Sequence, residues 1–190
     1  MKTIELTGYK RVTIGKKASK KLRAEGNVPC VLYGANQEPV HFYIPERSLV
    51  NIIYTPHVYL VNLSVDGNTY KVILKDVQNN PVTDRVSHID FLQIYEDKLV
   101  NIEVPVNIYG ESVGIEKGGK LFLNRRKIPV RAYAKDLPDT LDIDITNLDL
   151  GKSLKAMDLT FESLELMLPP EDVICSVKLT RTARAAAASQ

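Results

Sequence analysis

The chain has few of the residues on which metal or redox chemistry rests. It holds two cysteines, Cys30 and Cys175, with no CxxC pair, and three histidines, His41, His57 and His88, with no HxxxH-type spacing. Each cysteine sits in an apolar run, VPCVLY and VICSV, which reads as a buried thiol in a reducing compartment rather than half of a disulfide. No apolar run approaches the roughly 18 residues of a membrane helix. MKTIELTGYKR lacks the apolar core of a signal peptide, so the expected location is the cytoplasm. There is no P-loop, no GxGxxG and no GxSxG, and Gly118-Gly119 has turn chemistry without a strand-to-helix context. Asp142 and Asp144 alternate with Ile143 and Ile145, the pattern of a half-buried strand rather than a catalytic carboxylate pair. These absences leave no support for an enzyme, a metal or a cofactor.

What is present is strand. TIELTGYKRV, VPCVLYG, VHFYI, VYLVNLSV, TYKVILKDVQ and HIDFLQIY are short runs rich in β-branched and aromatic residues. Turn formers separate them, at Ala35-Asn36, Asp66-Gly67 and Asn79-Asn80-Pro81. Asp66-Gly67 is a two-residue hairpin signal. Two segments have helical character. SKKLRAEG offers Ser19 as an N-cap and Gly26 as a stop, and PERSLVNIIY opens on Pro45 and places Leu49, Ile52 and Ile53 on one face. The expected fold class is mainly β: an N-terminal six-stranded antiparallel barrel with short helices over residues 1–95, then a second β-rich domain over 96–182. The texture changes around Tyr95-Glu96-Asp97-Lys98, and the Ala-rich end, 183–190, is expected to be a mobile tail.

The formal charge of +2 hides an uneven distribution. Residues 1–35 carry eight Lys or Arg against Glu5 and Glu25, whereas 136–172 carry ten acids against Lys152 and Lys155. The acidic stretch reads equally well as a second binding surface or as solvated faces. The basic one is more specific. In GKKASKKLRAEGNVPCVLYG, Lys16, Lys17, Lys20, Lys21 and Arg23 crowd one short segment. On a helix, 16 and 20, and 17 and 21, lie one turn apart, and like charges there cost a few tenths of a kcal/mol per pair. A polyanion offsets that cost by releasing its counterions, and a solubilising surface would mix its signs more evenly.

DVQNNPVTDRVSHIDFLQ adds different chemistry: the amides Gln78, Asn79 and Asn80, then Arg85, then His88 and Asp90 alternating along a strand with Ile89 and Phe91. A carboxylate repels phosphate. Asp90 therefore suits a base amino group, a ribose hydroxyl, or the orienting of a neighbouring Arg or His. A His-Asp pair satisfying itself on a barrel surface is the plainer alternative.

GKKASKKLRAEGNVPCVLYG together with KDVQNNPVTDRVSHIDF resembles the signature pair of the bacterial 5S ribosomal RNA-binding family of the large subunit, ribosomal protein twenty-five. The likeness is to its long two-domain form, the general stress protein CTC family. VPVNIYGESVGIEKGGKLFLNRRKIPV, DLPDTLDIDITNLDLGKSL and VICSVKLT extend the resemblance over about residues 3 to 180. It implies a barrel that docks on the internal loop E region of 5S RNA through a widened minor groove, in the central protuberance. It also implies a C-terminal domain that meets neighbouring ribosomal proteins, and a place in the cytoplasm on the ribosome. The RNA-binding residues it implies are Arg11, Lys16 with Gly15, Lys20, Lys21, Arg23, Tyr33, Gln78, His88 and Asp90; Lys17 of the same cation cluster, Ser19 and Lys75 are expected on the RNA surface with them. Lys20 and Lys21 stand where arginine is common in the family, which favours phosphate contacts over bidentate base contacts there. The competing readings are a tRNA-recognising barrel, resembling the anticodon-binding part of glutaminyl-tRNA synthetase, and a stress-responsive protein-interaction module. No adenylate-binding motif accompanies the former.

Overall fold

The computed structural model describes residues 2–34, 37–55, 57–95, 97–161 and 163–180. The Ala35-Asn36 turn and the tail from Arg181 onward fall outside them. The chain divides into two compact units, one of residues up to Val100 with Tyr133–Lys135, the other of Asn101–Ala132 with Asp136 onward.

The first unit is a closed six-stranded barrel. Its strands are β1 (Lys2–Lys10), β2 (Asn27–Gly34), β3 (Gln37–Pro45), β4 (Tyr59–Val65), β5 (Asn68–Asn79) and β6 (Val86–Gln93), in the order β1-β3-β2-β6-β5-β4. Four pairings are antiparallel, but β1–β4 and β2–β6 are parallel, which corrects the all-antiparallel expectation. The cause is connectivity. Helix α2 (Glu46–Ile53) keeps the chain near the end of the barrel where β3 finishes, so β4 sets out opposite to β3 and therefore along β1. The hairpins β4–β5–β6 then bring β6 in along β2. Asp66 (φ 48) and Gly67 (φ 84) both turn left-handed between β4 and β5, the type I′ geometry that their residue types favour.

Period-two alternation sends Phe42, Ile44, Leu63, Ile89 and Phe91 inward, all fully buried. The Phe42 and Phe91 rings meet with centroids 5.8 Å apart. Gly8 makes room for them, since a Cβ there would lie 2.6 Å from the Phe42 ring. Leu49 and Ile52 of α2 join the same core, with Ile53 packed against it, and the buried Cys30 carries a free thiol.

Helix α1 (Lys16–Ala24) packs beside β2 with no fully buried residue. It begins one turn earlier than Ser19 suggests: Gly15, at φ 133, is the N-cap, and Ser19 donates its backbone N–H to the Gly15 carbonyl. Ser19 is thus an interior helix residue, correcting its expected role as cap. Gly26, at φ 79, ends the helix as its position suggests.

Mostly within the second unit, to which all but Leu99, Val100 and Tyr133 of their residues belong, β7 (Leu99–Tyr109), β9 (Lys127–Tyr133), β10 (Leu141–Asp144) and β12 (Glu165–Leu166) form a sheet ordered β10-β7-β9-β12. A second sheet, β11-β13-β8, contains β8 (Gly119–Leu123), β11 (Ser153–Lys155) and β13 (Val173–Leu179). Ile143 and Ile145 are buried as their alternation with Asp142 and Asp144 requires, and Cys175 is a buried free thiol. Ser112, fully buried, caps the one-turn helix α3 (Val113–Glu116) by accepting from the Gly114 N–H and donating to the Leu148 carbonyl. Gly114 lies so close to the backbone of Asp149 and Leu150 that a Cβ would clash at 2.7 Å.

Candidate nucleic-acid interface

Strands β5 and β6 set the geometry. Their register pairs Gln78 with His88 and Asp76 with Asp90, while Val77 pairs with the buried Ile89. Gln78, His88, Asp76 and Asp90 therefore share the outer side of the sheet as a two-by-two ladder. The register shifts between Leu74 and Asp76, so Lys75 sits at a bulge, exposed, on the approach to this ladder. Sequence reasoning missed Asp76. Its signal is the strand phase that puts it on the same side as Gln78.

Two carboxylates facing each other across a ladder repel. The neighbours show what that charge does. His88 Nδ1 lies 2.8 Å from Asp90 Oδ1, so the imidazole donates to the carboxylate and presents its Nε2 as the remaining polar atom. Both residues are about a quarter exposed. Tyr33, half-buried on β2 beside Leu92 of β6, has its phenol pushed above its usual range, first by burial and then by Asp90 and Asp76. It stays a protonated hydroxyl that can donate or accept. The cluster thus holds an amide, an oriented imidazole, a phenol and two carboxylates, chemistry suited to base edges and ribose hydroxyls.

Alongside it, α1 supplies the opposite sign. Lys16, Lys17, Lys20, Lys21 and Arg23 are all exposed, and Ala18 and Leu22 form the half-buried face. Arg23 reaches β6, where its Nε donates to the Ser87 carbonyl at 2.8 Å, placing this cation next to His88 in the chain. Lys21 pairs loosely with Glu25 at 3.9 Å. Arg11 and Ser19 are joined to each other: Arg11 Nη2 donates to Ser19 Oγ at 2.9 Å, and its half-buried guanidinium also reaches the Thr13 carbonyl. These two brace the start of α1 against the end of β1. Arg85, in the loop before β6, is turned away to Glu46 at 2.6 Å and stands apart from the ladder.

Among the described residues, no group of three or more His, Cys, Asp or Glu is placed to hold a metal ion. No helix among them is long and apolar enough to cross a membrane.

The fold and the comparisons define first a class, a ribosomal protein made of two β-rich modules. The model of the Ribosomal L25p family matches residues 6–91, and that of the Ribosomal protein TL5, C-terminal domain, matches residues 99–181. Among its relatives, a "Large ribosomal subunit protein bL25" of Porphyromonas gingivalis is 48% identical over 188 residues, covering 98% of each chain. Its namesake from Phocaeicola vulgatus is 48% identical over 195 residues, covering 100% of this chain and 98% of the relative. That of Amoebophilus asiaticus is 43% identical, covering 99% and 95%. The chain belongs to the Ribosomal L25p family, in its long two-domain form, and is a structural rather than an enzymatic component.

Proposed function

We propose that the chain is a constituent of the large ribosomal subunit that binds 5S ribosomal RNA through the outer face of its barrel, at the loop E region, and helps to form the central protuberance. It works in the cytoplasm, on the ribosome. The relatives are named as large-subunit proteins, which supports the assembly. The observation that carries the RNA reading is the ladder of Gln78, His88, Asp76 and Asp90, with Tyr33 beside it and a row of exposed cations on the adjoining helix.

In this reading Lys16, Lys17, Lys20 and Lys21 meet phosphates, and Arg23 bridges from helix to strand. Tyr33, Gln78, His88 and Asp90 face the wide minor groove, where base edges and 2′-hydroxyls are displayed. Lys75 approaches the same groove from the bulge, and Arg11 with Ser19 holds α1 in place. The C-terminal module meets neighbouring ribosomal proteins.

A chemical footprint of the full chain on isolated 5S RNA tests this, with protection confined to loop E as the expected result. A pull-down from lysate with and without RNase separates the alternatives. Retention of tRNA would move the reading to a tRNA-binding barrel. Retention of protein alone, insensitive to RNase, would move it to an interaction module.

A further inference from the structure

On the other flank of α1 the barrel carries an aromatic pair that the RNA-facing ladder does not use. Leu6 and Gly8 of β1 point inward, so Tyr9 points outward, where its register partner is Tyr43 of β3. The two rings stack with centroids 5.4 Å apart and planes 28° from parallel, and Tyr9 remains 49% exposed. A cross-strand aromatic pair by itself only strengthens a sheet. Its surroundings are what distinguish this one.

Tyr43 lines a hollow of about 300 Å³ whose rim is made by Lys10, Arg11 and Lys21. That volume is at the lower end for ligand clefts. Among the described residues, the sole acid on the hollow is Glu25, and it lies 3.9 Å from Lys21. Val12, on the same rim, is 97% exposed, an apolar group with nothing over it among the described residues. Arg11 Nε is buried there with no hydrogen-bond partner. An aromatic stack, an uncovered aliphatic group and three cations together match the two halves of a nucleotide, a flat base and a charged backbone. Lys21 belongs to both this hollow and the basic helix, which joins the hollow to the surface already described.

We propose that the Tyr9–Tyr43 stack and its hollow receive an unpaired RNA base, with Lys10, Arg11 and Lys21 taking the flanking phosphates. This rests on the RNA-binding reading and extends its footprint across α1 to the β1–β3 side of the barrel. The base is held by its face, so the site is tolerant of sequence, in contrast to the ladder of His88 and Asp90.

The test uses the full chain with tyrosine rings isotopically labelled for NMR, titrated with a tetra-adenylate and with an abasic tetramer of equal charge. Tyr9→Leu and Tyr43→Leu assign the two ring signals, and Tyr9→Phe keeps a stacking ring. The expected result is upfield shifts of Tyr9 and Tyr43 with the tetra-adenylate only. Tyr9→Leu should weaken that binding about tenfold, or about 1.4 kcal/mol, and Tyr9→Phe should restore it. Equal responses to both tetramers, or shifts confined to other tyrosines such as Tyr33, would overturn the proposal. Tyr9→Leu is also titrated against 5S RNA. Binding equal to the parent would remove the hollow from that footprint while leaving the ladder reading intact. A parent chain that fails to protect loop E would defeat the ladder reading, while the tetramer titration still decides the hollow.

Discussion

His88 and Asp90, two residues apart on the outer side of β6, are joined by a 2.8 Å contact from Nδ1 to Oδ1, and the same Asp90 stands directly across the ladder from Asp76. The carboxylate therefore fixes the imidazole while suffering repulsion from its neighbour. A side chain kept at such a cost to the sheet points to a role outside folding.

Replacing Asp90 by Asn separates these effects. The amide keeps the size but drops the charge, so repulsion from Asp76 is relieved and thermal stability should hold or rise slightly. Binding to the cognate RNA loop should fall by about 1–3 kcal/mol, the range for base-edge contacts. The salt dependence should stay the same, because every phosphate remains neutralised as before. Circular dichroism and RNA titration on one sample check all three. A folded variant that binds 5S RNA with undiminished affinity and preference would return the pair to the role of a self-satisfied surface contact.

The cations of α1 should behave in the opposite way. Removing Lys20 and Lys21 together, as Ala, should weaken binding to every RNA alike. It should also reduce the slope of log affinity against log salt by about 0.7 to 0.9 for each phosphate no longer neutralised. The helix itself should tolerate the change, since Ala is the better helix former and neither lysine is buried. Salt titrations of parent and variant decide this, and an unchanged slope would make the row a solvated surface.

Much of this arrangement was legible in the sequence, for a local reason. Strand phase alone places His88 and Asp90 on one side and Ile89 and Phe91 on the other, and Asp66-Gly67 has the turn chemistry that its left-handed backbone demands. What escaped was non-local. Asp76 opposite Asp90 and Tyr9 opposite Tyr43 are facts of register between strands. The parallel seams β1–β4 and β2–β6 follow from how α2 returns the chain, which no single run of residues encodes. The start of α1 escaped for another reason. Glycine at an N-cap is a weaker signal than a hydroxyl, and Ser19 drew the assignment away from Gly15.

Acid should weaken the second unit through two identified carboxylates. The Thr146 hydroxyl and backbone N–H hold Asp144 below its ordinary range, and the Lys117 ammonium and the Leu150 N–H do the same for Asp149. A depressed folded-state value means that the ionised form favours the fold. The stabilisation is complete above the unfolded value, about 3.9, and is lost as pH falls through the lower folded values. The urea midpoint should therefore hold down to about pH 5 and drop progressively below about pH 4. The drop should be smaller in a double variant carrying Asp144→Asn and Asp149→Asn. An identical acid response in that variant would show that other groups control it.

The barrel should fold and bind RNA on its own. Residues 1–98 stop before β7 and contain all six barrel strands, both helices α1 and α2, and every residue assigned to the RNA surface. The sheet closes on itself through the β1–β4 pairing, so removal of the second module leaves no open edge on the barrel. Its core, centred on Phe42 and Phe91, is made from residues of this segment alone. The fragment should fold, unfold in one cooperative transition, and keep 5S RNA affinity within a few-fold of the full chain. The complementary fragment, from residue 99 onward, should bind that RNA far more weakly. Both fragments are titrated at one salt concentration, because affinities at different salt are not comparable. Tight binding by the second fragment would transfer the RNA surface, wholly or in part, to the C-terminal module. A first fragment that folds but fails to bind would mean that the ladder and the basic helix are insufficient without it.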